Sequence, residues 1–313
     1  MRIREATLVA TAAAAVAVYI VLRRRRRTAP SLIPHAHVIS LARLPAARSA
    51  CLKRAAEAGL EAVEVFDAVD GRDLSTDYLE RRGVHTYSEW RIPGSTFRFF
   101  DRELKWGEVG CALSHVDVWK LVAALPLPPP SGLLSFSPPA EEPVALVLED
   151  DVDFVPRFAE LLRTALDEVR WLVASGRIAP PDAMYLGRKA MRPELDELLP
   201  RSGESTGVRI ITPGFSYKTT AYLLWRRGAI KLLSSGYEGK LIPVDDFLAL
   251  TYAKHEAQVG VARPDLDELF ADAPRINMLA VRPSLCRERR GISATENSPL
   301  LSEDPKAPRA KTK

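Results

Sequence analysis

Along the chain, short apolar runs alternate with amphipathic stretches of helical period, the order expected of an α/β domain. Residues 38–41 form an apolar strand, residues 45–57 are rich in the helix formers Ala, Leu and Arg, and residues 62–66 read as a second strand. The charged stretch 67–91 reads as irregular. Residues 107–124 place Val109, Leu113, Val116, Trp119 and Val122 close to one helical face. Further strands are expected at 144–148, 183–186 and 220–225, and helices at 158–175 and 226–234. The Pro- and Ser-rich residues 125–143 cannot sustain a helix or an interior strand and read as a surface loop. One domain with a mostly parallel sheet follows, spanning 31–298, with a disordered basic tail at 299–313.

The run 144–148 is continuously apolar, as befits a strand covered on both faces, and it ends in Glu149, Asp150, Asp151 and Asp153. Ligands of parallel sheets gather at such carboxyl ends. Carboxylates this close repel one another unless solvent, Lys/Arg or a cation offsets them, and oxygen-only donors suit Mg²⁺, Mn²⁺ or Ca²⁺. The plain alternative is a solvated turn. A second acidic pair, Asp245 and Asp246, stands about a hundred positions later at the edge of another apolar segment. Two such clusters suit a metal-assisted transfer from a nucleotide diphosphate: one holds the cation, the other accepts the proton of an attacking hydroxyl. Arg188 and Lys189, just after a strand, are candidates for the phosphates. A phosphoryl or nucleotidyl transferase would use the same parts, although there is no Walker-type glycine loop.

Composition narrows this further. The 313 residues are 47% apolar and 27% charged, enough to bury a large core. The net charge of +4 owes much to five arginines at 23–27, so no nucleic-acid partner is expected. Cys51, Cys111 and Cys286 are too scattered for a disulfide framework and read as buried apolar side chains. Residues 6–22 carry no charge and would span about 25 Å as a helix against a hydrocarbon core of about 30 Å. With 1–30 read as anchor and basic flank, the expectation is a single-pass membrane protein, in the endoplasmic reticulum or Golgi if eukaryotic. The arginines that follow favour a cytosolic domain.

Seven segments then occur in a telling order: V-I-S-L-A-R-L-P-A-A-R from Val38, F-D-A-V-D-G-R-D-L from Phe66, G-E-V-G-C-A-L-S-H from Gly107, V-L-E-D-D-V from Val147, Y-L-G-R-K from Tyr185, S-Y-K-T-T-A-Y from Ser216 and I-P-V-D-D-F-L from Ile242. Together they resemble glycosyltransferase family 25, which includes bacterial lipooligosaccharide galactosyltransferases and procollagen galactosyltransferases. The resemblance runs from Val38 to Ser298.

It implies a GT-A type nucleotide-sugar fold that uses a UDP-hexose, UDP-galactose foremost, with Mn²⁺ or Mg²⁺ and a glycan or protein acceptor. By similarity, Glu149 and Asp150 belong to the acidic nucleotide motif and Asp151 meets the metal, assisted by Asp150 or Asp153. His255, near the second acidic pair, is a further ligand candidate or else a surface helix histidine. Asp245 and Asp246 are the candidate bases. Ser40, Arg43, Arg48, Asp70, Gly71, His115, Arg188 and Lys189 are the other nucleotide-binding candidates. His115 on spacing alone reads more simply as a hydrogen-bonded structural histidine. The chain departs from the family pattern where Ser40 replaces Asn, where Ala46 and Ala47 replace an Asp-Arg pair, and where Asp246 replaces Glu.

Overall fold

A computed structural model of the protein describes residues 33–127, 142–201, 207–255, 261–289, 295 and 297–306. In chain order the strands are β1 (His35–Ser40), β2 (Glu64–Asp67), β3 (Val144–Glu149), β4 (Val152–Phe154), β5 (Ala183–Ala190), β6 (Glu197–Leu198), β7 (Arg209–Thr212), β8 (Ser216–Trp225), β9 (Met278–Arg282) and β10 (Cys286–Glu288). The helices are α1 (Pro45–Glu57), α2 (Thr76–Arg82), α3 (Trp106–Ala123), α4 (Phe158–Ala174), α5 (Arg226–Leu233), α6 (Val244–Leu250) and α7 (Pro264–Leu269).

Eight strands form one sheet in the order β2-β1-β3-β8-β5-β9-β7-β6, and β4 pairs with β10 separately. β1, β2, β3, β5, β9 and β6 point one way, while β8 and β7 run against them. The sheet is thus mostly parallel in direction, as a GT-A-like fold requires. The chain runs from β1 outward to β2 and then back across β1 to β3, so the crevice at the carboxyl ends of β1 and β3 is the switch point where such sheets bind ligands.

Strand alternation explains the two cores. Ala145 and Val147 of β3, with Tyr222 and Leu224 of β8, face α3, α5 and α6; Leu146 and Leu148, with Ala221 and Leu223, face α1 and α4. Both faces are covered, which is why β3 is apolar without interruption and why residues 145–148 are wholly buried. All five apolar positions read on the face of residues 107–124 are buried in α3.

Local signals set the ends of these elements. Pro45 occupies the first turn of α1, where its missing N–H costs nothing. Glu108 closes the start of α3 by accepting the Lys105 backbone N–H at 2.8 Å. The stretch expected to be irregular holds α2, capped by Ser75 accepting the Tyr78 N–H at 3.2 Å and closed by Gly83 at φ 71°.

Gly228 of α5 lies so close to β5 that a Cβ would sit 2.2 Å from the Asp182 carbonyl oxygen. A helical Gly→Ala change ordinarily gains about 0.5–1 kcal/mol. Here the clash with backbone wins, and Gly228→Ala is expected to lose about 1–3 kcal/mol in urea unfolding.

Two expectations are corrected. The tail is shorter than 299–313: Trp106 at the start of α3 donates its backbone N–H to Pro299 O at 3.0 Å and its indole N–H to Glu303 O at 2.9 Å, which pins that part of the chain. Residues 307–313 lie outside the described residues, as do 128–141 of the Pro-rich stretch. The single-pass membrane localisation also falls, because no helix among the described residues is long and apolar enough to cross a membrane. The segment 6–22 itself lies outside them.

Candidate active site

The carboxyl ends of β1, β2 and β3 deliver Ser40, Asp67 and Glu149 to one edge, and α1 braces the turn that follows β3. Arg54 of α1 donates to Asp150 O and Val152 O, each at 2.8 Å, and fixes the backbone on both sides of Asp151. Arg48 spans Ser40 O at 3.0 Å and the Asp67 carboxylate at 2.5 Å. Ser40 Oγ donates to Asp150 Oδ2 at 2.7 Å, which commits one Asp150 oxygen. Arg43 pairs with Asp70. Asp70 also accepts the Arg72 N–H at 3.1 Å to cap the short turn Gly71–Asp73. At Gly71 a Cβ would lie 2.4 Å from the Trp106 carbonyl oxygen, so this glycine serves the close approach of the loop to α3.

Glu149 is held from two sides. Thr219 Oγ1 donates to its Oε1 at 2.6 Å, and His115 Nε2 stands 3.5 Å from the same oxygen. Burial pushes the Glu149 carboxyl up, but the His115 and Thr219 contacts outweigh it and hold the group below its usual range. Asp151 has no such partners among the described residues. Its Oδ1 is buried without a hydrogen bond, and burial, then the charges of Glu149, Glu288 and Asp150, push it up to about 7. Lys218, itself paired with Glu288, offsets only part of this.

The second acidic pair arrives at the same place. Asp245 and Asp246 lie in the first turn of α6. Asp245 is raised to about 6, by burial first and by the Glu149 charge next, so the two clusters share one electrostatic environment. The backbone N–H groups of Lys218 and Asp246 counter the rise. Lys218 reaches Asp245 from an unusual backbone, at φ 74°. From the pair Gly187–Ala221 to the pair Lys189–Tyr217, β5 advances two positions and β8 four, so β8 bulges here and re-aims Lys218 and Thr219. Asp246 differs from its neighbour: it is 6% exposed, its Oδ1 has no partner, and burial followed by the Asp245 charge drives it well above the carboxylate range. At pH 7 Asp245 is mostly ionised.

Other sequence candidates lie apart from this centre. Arg188 is committed to a buried ion pair with Asp196 at 2.5 Å and to Ser216 Oγ at 2.6 Å, while Lys189 is exposed. Asp153 faces Arg287 at 3.6 Å and lines an open cavity of about 560 Å³ together with Arg54 and Arg163. His255 sits between the rings of Phe100 and Phe215, at 5.9 and 5.2 Å, with neither ring nitrogen bonded. Burial lowers it to about 4, so it is neutral. Lys218, Thr219 and Glu288 are not singled out by sequence, and Cys111, expected to be a buried apolar side chain like Cys51 and Cys286, is only partly covered. The S-Y-K-T-T-A-Y segment carries the only signal for the first two, and no local pattern assigns them a role.

Residues 33–248 match the family described as "Glycosyltransferase family 25 (LPS biosynthesis protein)". The chain belongs to glycosyltransferase family 25. It is similar to a "Glycosyltransferase 25 family member" of Aedes aegypti, 34% identical over 223 residues, 71% of this chain and 32% of that protein. It is also similar to the "Probable inactive glycosyltransferase 25 family member 3" of Rattus norvegicus, 36% identical over 221 residues, 70% of this chain and 33% of that protein. The "Inactive glycosyltransferase 25 family member 3" of Homo sapiens is 33% identical over 270 residues, 85% of this chain and 40% of that protein. The chain therefore spans only 32% to 40% of the length of these family 25 relatives.

Proposed function

We propose that the chain transfers a hexose, galactose from UDP-galactose as the first choice, to a hydroxyl of a glycan or hydroxylysine-type acceptor, with inversion at the anomeric carbon. The observation that carries the reading is the meeting of two acidic clusters, remote in sequence, at the switch point of the sheet, with the charge of Glu149 raising Asp245.

An oxygen-bound divalent ion fits the first cluster. The orphaned Asp151 Oδ1 and the raised carboxyl mark a charge without a counterion, and the donors are carboxylates suited to Mn²⁺ or Mg²⁺. Asp151, with Asp150, would hold it. When bound, the ion supplies neutralisation of the departing diphosphate.

The chain's own groups do the remaining work. Ser40, Arg43 and Arg48 line the nucleotide side at the ends of β1 and α1. Lys218, 38% exposed, adds positive charge beside the turn. Asp245, ionised and partly exposed, accepts the proton of the acceptor hydroxyl on the face opposite the leaving group, as inversion requires. Asp246, buried beside it, supports the α6 turn.

A second reading, a homologue that binds nucleotide without turnover, draws on the names of the rat and human relatives and on Ser40, Ala46 and Ala47. Release of UDP from a panel of UDP-hexoses in Mn²⁺, with and without hydroxylysine-containing peptide or glycan acceptors, separates the two. The transferase reading expects slow UDP release from one hexose donor and faster release with acceptor. UDP binding without release from any donor would replace it with the silent homologue.

A further inference from the structure

The same edge of the sheet carries donors of a different chemistry. Cys111 and His115, one turn apart on α3, face Glu149, and Cys111 Sγ, a His115 ring nitrogen and a Glu149 carboxylate oxygen all lie within 4.8 Å of one another. It is the one such group of three among the described residues. His115 is fully buried, and its Nε2 has no hydrogen-bond partner although it stands 3.5 Å from Glu149 Oε1. Its other nitrogen, Nδ1, lies 2.9 Å from the Tyr222 hydroxyl, which Trp119 Nε1 fixes at 2.9 Å from a second direction.

A histidine anchored through one nitrogen while the other is buried and unsatisfied is arranged as metal-ligating histidines are. Zinc bonds of about 2.0–2.3 Å in a tetrahedron separate neighbouring donors by roughly 3.3–3.7 Å, and the N–O distance already falls in that range. Glu149, Asp245, Glu108 and Asp151 surround Cys111 with acidic side chains. That negative surrounding favours a cation. Cys111 is only partly covered, which leaves an entry path. The mixed S/N/O set suits neither Mg²⁺ nor Ca²⁺.

We propose that Cys111, His115 and Glu149 form a three-ligand site for a borderline-soft divalent cation of the Zn²⁺ class, with a fourth position open to water, separate from the oxygen donors at Asp150 and Asp151. The inference stands on these side chains and their buried partners, not on the transferase reading, and its test reads no activity.

Co²⁺ serves as the probe, titrated into the full chain kept reduced with a phosphine. The expected result is a thiolate-to-cobalt charge-transfer band that saturates at one equivalent and is displaced by Zn²⁺. The band should vanish in Cys111→Ser and persist in Asp151→Asn. In Tyr222→Phe, which removes only the hydroxyl behind His115, cobalt affinity should fall about 10–100-fold. Circular dichroism of each variant confirms folding. Absence of the band in the parent chain overturns the proposal whatever the variants do. Persistence in folded Cys111→Ser would assign it to Cys51 or Cys286 and overturn it as well, and loss in folded Asp151→Asn would overturn the separation of the two sites.

Discussion

Asp151→Asn is expected to weaken Mn²⁺-dependent UDP binding by at least about 10²-fold, roughly 2.7 kcal/mol, while the fold stays intact. The substitution keeps the shape and removes the charge. Because the parent carboxyl is raised to about 7 by burial and by its acidic neighbours, Asn should also relieve repulsion, so thermal stability without metal should rise or hold while metal-dependent affinity collapses. Calorimetry of UDP with and without Mn²⁺ reads the affinity, and unchanged Mn²⁺-dependent binding would remove Asp151 from the site.

A pH dependence follows from the same groups. Asp151 and Asp245 are raised in the folded chain to about 7 and about 6, against about 3.9 when unfolded. Their contribution to stability is therefore fully present below about pH 4 and is lost as pH rises through 6 to 7. Mn²⁺ competes with the proton on Asp151. The rise in melting temperature on adding Mn²⁺ should be larger at pH 8 than at pH 5.5; an equal rise at both would count against a carboxylate site.

Asp245→Asn is expected to lower the transfer rate by about 10²–10⁴ with UDP affinity and fold preserved. Asn caps a helix about as well as Asp, so a purely capping role would leave the rate near the parent's. Asp246→Asn should cost little turnover, because that carboxyl is buried away from the crevice and held well above its usual range. The parent kcat/KM should fall about tenfold per pH unit below about 6 as Asp245 takes up its proton. A bound cation shifts that limb downward. If Asp246→Asn is the crippled variant instead, the acceptor side of the site is placed wrongly.

Much of this site is legible in the amino-acid sequence. The acidic end of the 144–148 run marks a strand terminus on its own pattern, and α1, α3 and α4 fall within a residue of where periodicity and capping residues put them. Direction is not legible. β8 reads as another apolar strand, and nothing local tells that it runs against β3 and β5, since that is fixed by pairing with distant segments. The bulge that aims Lys218 and Thr219 is likewise a property of two strands together. The short strands β6, β7 and β10 carry too few residues for alternation to register. Arg188 follows a strand end as a phosphate ligand would, but the burial of Asp196 beside it decides its partner. The split between Asp245 and Asp246 also depends on the fold, because two adjacent carboxylates separate only when one faces the crevice and the other the core.

The most direct measurement is a thermal-shift screen of the full chain against nucleotide sugars, each with and without Mn²⁺, since a ligand bound only by the folded state raises its stability. The account predicts a rise in melting temperature with a UDP-hexose and Mn²⁺ together, larger than with either alone, and lost in Asp151→Asn. No shift with any nucleotide sugar in Mn²⁺, or a shift unchanged by that substitution, would contradict it.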